Sequence, residues 1–139
     1  MTLVRSAALS DLSQVFPLAC DFATSFRPER ASFDAVFPRL IAQEHALLLI
    51  AEEQGDVLGY LLGFDHETFF ANGRVSWVEE VMVREDRRRE GIGETLMERF
   101  EEWAKSRDSK LVALATRRAS PFYMAIGYED SATYFRKLI

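Results

Sequence analysis

Val83-Arg84-Glu85-Asp86-Arg87-Arg88-Arg89-Glu90-Gly91-Ile92-Gly93 is the stretch on which the fold turns. Before it, Val75–Val83 (VSWVEEVMV) reads as a strand. After it, Ile92, Leu96, Phe100 and Trp103 repeat at helical spacing, with Met97 and Ala104 beside them. The stretch therefore leaves a strand and enters a helix. Its two glycines remove side chains where the first N–H groups of the helix lack acceptors. Those donors and the positive end of the helix dipole converge there, which is the chemistry of an anion site. Arg84, Arg87, Arg88 and Arg89 add positive field, although an ordinary surface turn with solvated arginines has the same composition.

Working outward, Leu111–Thr116 reads as a further strand, so the helix from Gly93 is a crossover between parallel neighbours. On the other side, His45–Glu53 and Val57–Asp65 flank the turn Gln54-Gly55-Asp56. With Val75–Val83, reached through Ala71-Asn72-Gly73-Arg74, they form an antiparallel meander. Leu3–Ala7 is an opening strand, Ser10 the N-cap of a helix running to about Phe26, and Ser32–Gln43 a second helix. Ala119–Ile126 is a short helix closed by Gly127, and Ala132–Leu138 a final strand. The order β-α-α-β-β-β-α-β-α-β predicts a mixed α/β fold with a mostly antiparallel central sheet flanked by helices.

Length and charge bound the rest. The 139 residues carry 17 Lys and Arg against 22 Asp and Glu, a net charge of −5, with 48% hydrophobic residues and no linker or repeat. One domain over residues 1–139 is the economical expectation. Cys20, the single cysteine, lies on the apolar stripe of the first helix and reads as a core thiol. His45 and His66 have no ligand spacing, so no metal is expected. The acidic balance speaks against nucleic acid, and no run approaches the roughly 18 apolar residues of a membrane span. With no disulfide framework and no leader-like start, a cytoplasmic location is expected. Charge is uneven, with 5 basic and 12 acidic side chains in residues 1–80 and 12 and 10 in residues 81–139. An anionic ligand belongs with the second part and a cationic one with the first.

Three phosphate-binding loops fail against the stretch. A Walker loop requires Gly-Lys-Ser/Thr, absent after Gly91 and Gly93. A dinucleotide fingerprint needs a small residue where Leu96 stands, and a kinase glycine loop needs a far longer chain. What remains is Arg88-x-x-Gly91-x-Gly93 at a strand-to-helix junction, with Ala119-x-x-Phe122-Tyr123-x-x-x-Gly127-Tyr128 downstream. In these two motifs, their order and the order of elements, the chain resembles the GCN5-related N-acetyltransferase (GNAT) family over nearly its whole length.

The resemblance implies an acyl-CoA N-acyltransferase fold whose sheet splays at a β-bulge, and acetyl-CoA as cofactor. Exposed main chain at Val81, Met82 and Val83 would pair with the pantetheine arm. Backbone amides of Arg88, Arg89, Glu90, Gly91, Ile92, Gly93 and Glu94 would hold the pyrophosphate, with Phe122 alongside. Thr116 stands where family members often carry Asn, and it keeps one donor and one acceptor. Tyr123 holds the family's position for the acid that protonates the departing thiolate, and packing beside Phe122 is its alternative role. Glu79 and Glu80 are the candidate bases. Strict alternation puts Trp77, Glu79, Val81 and Val83 on one face and Val78, Glu80 and Met82 on the other, unless a bulge interrupts the count. The resemblance implies that Glu79, four residues before Val83, faces the acceptor amine; alternatively both glutamates cap the splayed edge.

The acceptor pocket would come from the first two helices and the 64–74 turn, where Phe22, Phe26, Phe33, Phe37, Phe64, Phe69 and Phe70 crowd. Asp21, Glu29, Asp34, Asp65 and Glu67 between them favour a small, cationic amine acceptor. The activity implied is direct N-acetyl transfer in a ternary complex. A protein lysine or N-terminal acceptor, a non-catalytic acyl-CoA-binding module and a homodimer are left open.

Overall fold

The computed structural model describes residues 1–139. Nine elements follow in the order β1 (Leu3–Ser6), α1 (Leu12–Phe22), α2 (Arg30–Ala42), β2 (Ala46–Glu53), β3 (Asp56–Thr68), β4 (Gly73–Val83), α3 (Ile92–Ser106), β5 (Val112–Leu114) and α4 (Ser120–Ala125). The strands form one sheet in sequence order, antiparallel from β1 to β4. Only β5 runs parallel to its neighbour β4, because α3 carries the chain back across the sheet before β5 begins.

Both sheet faces are covered, and the alternation along β2 shows why. Leu48 and Ile50 point to a layer with Val15, Leu18 and Phe37 of α1 and α2, while Leu49 and Ala51 point to Leu96, Met97 and Phe100 of α3. Ile50, Ala51, Leu61, Leu96 and Phe100 are fully buried. The stripe on α3 thus meets one face of the sheet, as its periodicity requires. Gly63 permits the approach. A Cβ there would lie 2.3 Å from Cε1 of Phe100, inside van der Waals contact, so a side chain would push α3 off the sheet.

Departures from the sequence reading have local causes. A 3₁₀ turn at Leu9–Asp11 precedes α1, and Asp11 replaces Ser10 as the residue that organises the start. Its carboxylate accepts the Ala8 N–H at 2.7 Å and a bidentate pair from Arg5 at 2.8 and 2.9 Å. The helix ends at Phe22, four residues short of Phe26. The final strand at Ala132–Leu138 does not form. From Glu129 onward no main-chain group hydrogen-bonds within the protein, and Tyr134, Phe135, Leu138 and Ile139 are exposed. A strand exists only against an edge, and β5, three residues long, offers too little ladder to hold one.

Candidate active site

The site begins where β4 leaves β5. Their ladder holds only Ser76 to Val112, Trp77 to Ala113 and Val78 to Leu114, after which β4 runs on without a parallel partner. On its other side, β4 pairs Val78 with Gly63 but Glu80 with Leu62, so Glu79 is the extra residue of a bulge. The bulge overturns the alternation expected from the sequence. Val78 and Val81 both pack on the α3 side, with Val83, whereas Met82 joins the opposite layer. Glu80 goes with Met82, its carboxylate accepting the Tyr60 hydroxyl at 2.6 Å.

Main-chain direction follows from one bond. The Arg84 N–H donates to the Leu58 carbonyl at 2.7 Å, so two-residue alternation turns Met82 and Glu80 toward β3 and Val81 and Val83 into the splay. Met82 therefore offers the splay no main-chain group, contrary to the expectation for it, and contributes its side chain to the cleft below.

The loop that follows is built around unsatisfied donors. Arg89 (φ 66°) and Gly91 (φ 81°) are both left-handed, which turns successive N–H groups toward a common concavity. Gly91 caps α3, whose start has no side-chain cap. No N–H from Arg88 through Glu94 finds an acceptor in the protein; the first to do so is Thr95, which donates to Gly91 at 3.0 Å. Helix dipole and free donors thus coincide at one point. Phe122 on α4 covers it from one side, since a Cβ on Gly93 would lie 3.4 Å from the ring. The arginines contribute less field than their number implies. Arg84 pairs with Asp86, and Arg87 with Glu90 and Glu53. Arg88 donates through Nε to the Val83 carbonyl at 3.1 Å, fastening loop to strand, and Arg89 alone has no partner.

Beside the splay lies a cleft of about 750 Å³ between α1 and α2, the exposed run of β4 and the segment from β5 into α4. Glu79, Glu80, Val81, Thr116 and Tyr123 all line it. Glu79 is exposed, and Glu80 is half-buried. Burial pushes the Glu80 carboxyl above the usual carboxylate range, the Tyr60 hydrogen bond opposes the rise, and the neighbouring Glu79 adds to it. Tyr123 is raised above the usual phenol value by burial, and its hydroxyl makes no hydrogen bond within the protein. Its ring stacks edge-on against Phe122 and Tyr128, at 4.9 and 6.0 Å between centroids. Thr116 Oγ1 accepts the Ala119 N–H at 3.1 Å and holds the entry to α4, leaving its hydroxyl proton to donate.

The acceptor side differs from the sequence reading. Phe22, Phe26, Phe33 and Phe37 line the cleft; Phe64, Phe69 and Phe70 do not, because the 64–74 turn lies elsewhere. Of the five acidic residues only Glu29 reaches it. Asp34 pairs with Arg30, Glu67 lies 3.9 Å from Arg74, and Asp65 is buried in an ion cluster with Arg107, Arg74 and His45.

Residues 12–128 match the family model described as Acetyltransferase (GNAT) family. The chain belongs to this family. Its members are acetyl-CoA-dependent N-acetyltransferases, and so is this protein. A curated relative, the uncharacterized N-acetyltransferase YhfO of Bacillus subtilis (strain 168), is 23% identical over 137 residues, spanning 94% of this chain and 92% of its own. The fold is shared with a transcriptional regulator from Bacillus halodurans C-125 (TM-score 0.91, 23% identity, 100% of both chains). It is shared too with an aminoglycoside N-acetyltransferase in complex with CoA (TM-score 0.85, 17% identity, 99% and 95% of the chains).

On this GNAT chain the free donors of Arg88–Glu94, the open main chain of Val81 and the Val83 N–H fit a ligand with an anionic diphosphate and an amide-bearing arm, the Val83 carbonyl being held by Arg88. No cluster of His, Cys, Asp or Glu suits a metal ion, and no helix is long and apolar enough to cross a membrane. The sequence reading missed Tyr60, the partner of Glu80, and Arg117, Arg118 and Arg136, which line the cleft. The period-2 pattern of β3 places Tyr60 with Leu62 on the face that receives Glu80, so Tyr60 was within reach once the bulge was counted. No local pattern marks Arg136.

Proposed function

We propose that this N-acetyltransferase moves the acetyl group of acetyl-CoA directly to a primary amine of a small acceptor, with Glu80 as base and Tyr123 as acid. The observation that carries this reading is the bulge at Glu79, which sets Glu80 in the wall of the same cleft as Tyr123, beside the splay. When bound, acetyl-CoA supplies an activated acetyl thioester. The amides of Arg88–Glu94 hold its pyrophosphate, Val81 and Val83 hold the pantetheine, and Thr116 donates to the arm.

Glu80 accepts a proton from the acceptor amine, directly or through one water, as the N–C bond forms. A carboxyl raised by burial is a better base near neutrality than a solvated one. Tyr60 orients it. Tyr123 stays protonated at neutral pH, its hydroxyl is free, and it gives its proton to the sulfur as the C–S bond breaks. A concave cleft of about 750 Å³ suits a small molecule better than a protein chain.

Tyr123, packed between Phe122 and Tyr128, also fits a purely structural role in which the thiolate leaves unassisted. Release of CoA from acetyl-CoA, measured against a panel of small amines and basic peptides, tests the acceptor. Release with small amines is expected; release with basic peptides alone overturns the small-acceptor reading.

A further inference from the structure

The acceptor cleft contains three arginines that no group of the protein neutralises. Arg117 and Arg118 stand between β5 and α4, Arg136 comes from the C-terminal segment, and all three line the same cavity. None makes a hydrogen bond or ion pair within the chain. Other arginines of the chain are committed to carboxylates, Arg5 to Asp11, Arg84 to Asp86, Arg87 to Glu53 and Arg107 to Asp65, and Arg89, also without a partner, stands at the anion loop and not in the cleft. The cleft also holds Glu29 and Glu79, neither of them paired, and Glu80, bound only to Tyr60. Unpaired charges of both signs thus line one cavity, the three arginines and Glu29 and Glu79 at its exposed rim and Glu80 deeper in its wall.

Resting on the reading of this cleft as the acceptor site, we infer that the acceptor is an amine that also carries an anionic group, a carboxylate or phosphate. Arg117, Arg118 and Arg136 hold the anion while the amine faces Glu80. Guanidinium groups suit this task, since each offers a planar fork of donors that matches a carboxylate or phosphate bidentately. The phosphates of acetyl-CoA are the competing anion. They have donors of their own in Arg88–Glu94, and no residue of the 84–94 loop lines the cleft. Because the three arginines hold nothing within the protein, truncating them removes no internal bond, and loss of fold does not confuse the test.

The test is CoA release with amino acids and aminoalkyl phosphates of graded length, set against alkylamines and polyamines, for the wild type, Arg136→Ala and the double variant Arg117→Ala/Arg118→Ala. The wild type is expected to favour an anionic amine. Each variant should raise the KM for that amine roughly tenfold or more, bringing it toward the alkylamine value, and the loss should shrink as salt rises. The KM for acetyl-CoA should not move. A rise in that KM instead assigns the arginines to the cofactor and overturns the inference, as does preference for a polyamine over every anionic amine. Calorimetric titration of the CoA-bound protein with the same amines keeps the two readings apart. Arginine-dependent binding without turnover supports the anion site and sinks the transferase reading, and no binding by any anionic amine overturns the inference.

Discussion

Glu80→Gln separates what the carboxylate does for chemistry from what it does for the fold. The amide keeps an oxygen where the Tyr60 hydroxyl donates at 2.6 Å, and its shape is that of the acid, so packing should survive. What is lost is the proposed base. General-base assistance is worth about 10²–10⁴ in rate, and the low end is expected here because Glu79, the next residue, lines the same cleft and accepts part of the role. CoA release at neutral pH should therefore fall about 10²-fold. The deficit should narrow as pH rises and the amine loses its proton unaided.

Stability should move the other way. Burial holds the Glu80 carboxyl above its ordinary 4.5, so above that value the unfolded chain ionises first and the folded state becomes relatively less stable as pH rises through the folded value. The Gln variant carries no such cost. It should melt no lower than the wild type at neutral pH, and any advantage should vanish below about pH 4.5. Wild-type turnover in Glu80→Gln together with a crippled Glu79→Gln would refute the reasoning, because the bulge would then have placed the wrong carboxylate in the cleft.

Gly93→Asp should abolish acetyl-CoA binding in calorimetry while leaving circular dichroism unchanged, since the Cβ makes only ordinary contacts, with Phe122 at 3.4 Å and Val83 at 3.9 Å, and the charge lands among the free amides. Tyr123→Phe should keep acetyl-CoA affinity and its stacking on Phe122, yet slow CoA formation in a single turnover by about 10²-fold, because a thiolate leaves fairly well unaided. Asp65→Asn should destabilise the fold by roughly 3 kcal/mol in urea titration, because Arg107 and Arg74 lose a fully buried counter-ion. Burial alone would raise the Asp65 carboxyl, but its hydrogen bonds from Arg107 and His45 hold it below 3.8. Its contribution is thus present above 3.8 and lost as pH falls through the folded value, so the two proteins should converge in strong acid.

The sheet was legible because β2, β3 and β4 carry long apolar runs divided by turns, and α3 because its stripe repeats over four turns. Two features were not. The tail carries Tyr134, Phe135 and Leu138, side chains common in strands, but composition says nothing about whether an edge is present to pair with. The bulge at Glu79 has no glycine or proline of its own to announce it; its neighbour across the ladder, Gly63, does stand at the register shift. A single inserted residue reassigns every side chain beyond it, which is why Glu80 rather than Glu79 reached Tyr60.

The two halves of the site differ in how they are encoded, and that difference decides what mutation can change. The proposed cofactor half is main chain: left-handed Arg89 and Gly91, a run of free amides, and two valines whose backbone faces the splay. Main-chain donors depend on local conformation, so a short motif suffices to write them and most side-chain substitutions leave them in place. The acceptor half is side chain, assembled from Glu29 before α2, Glu80 beyond a bulge, Arg117 and Arg118 after β5 and Arg136 from a segment outside every element. No local pattern joins these positions, and each can change without disturbing the amides proposed to hold the pyrophosphate. Acceptor preference should therefore shift by single substitutions at Glu29, Arg117, Arg118 or Arg136 that leave acetyl-CoA affinity untouched, whereas no substitution confined to the acceptor wall should rescue Gly93→Asp.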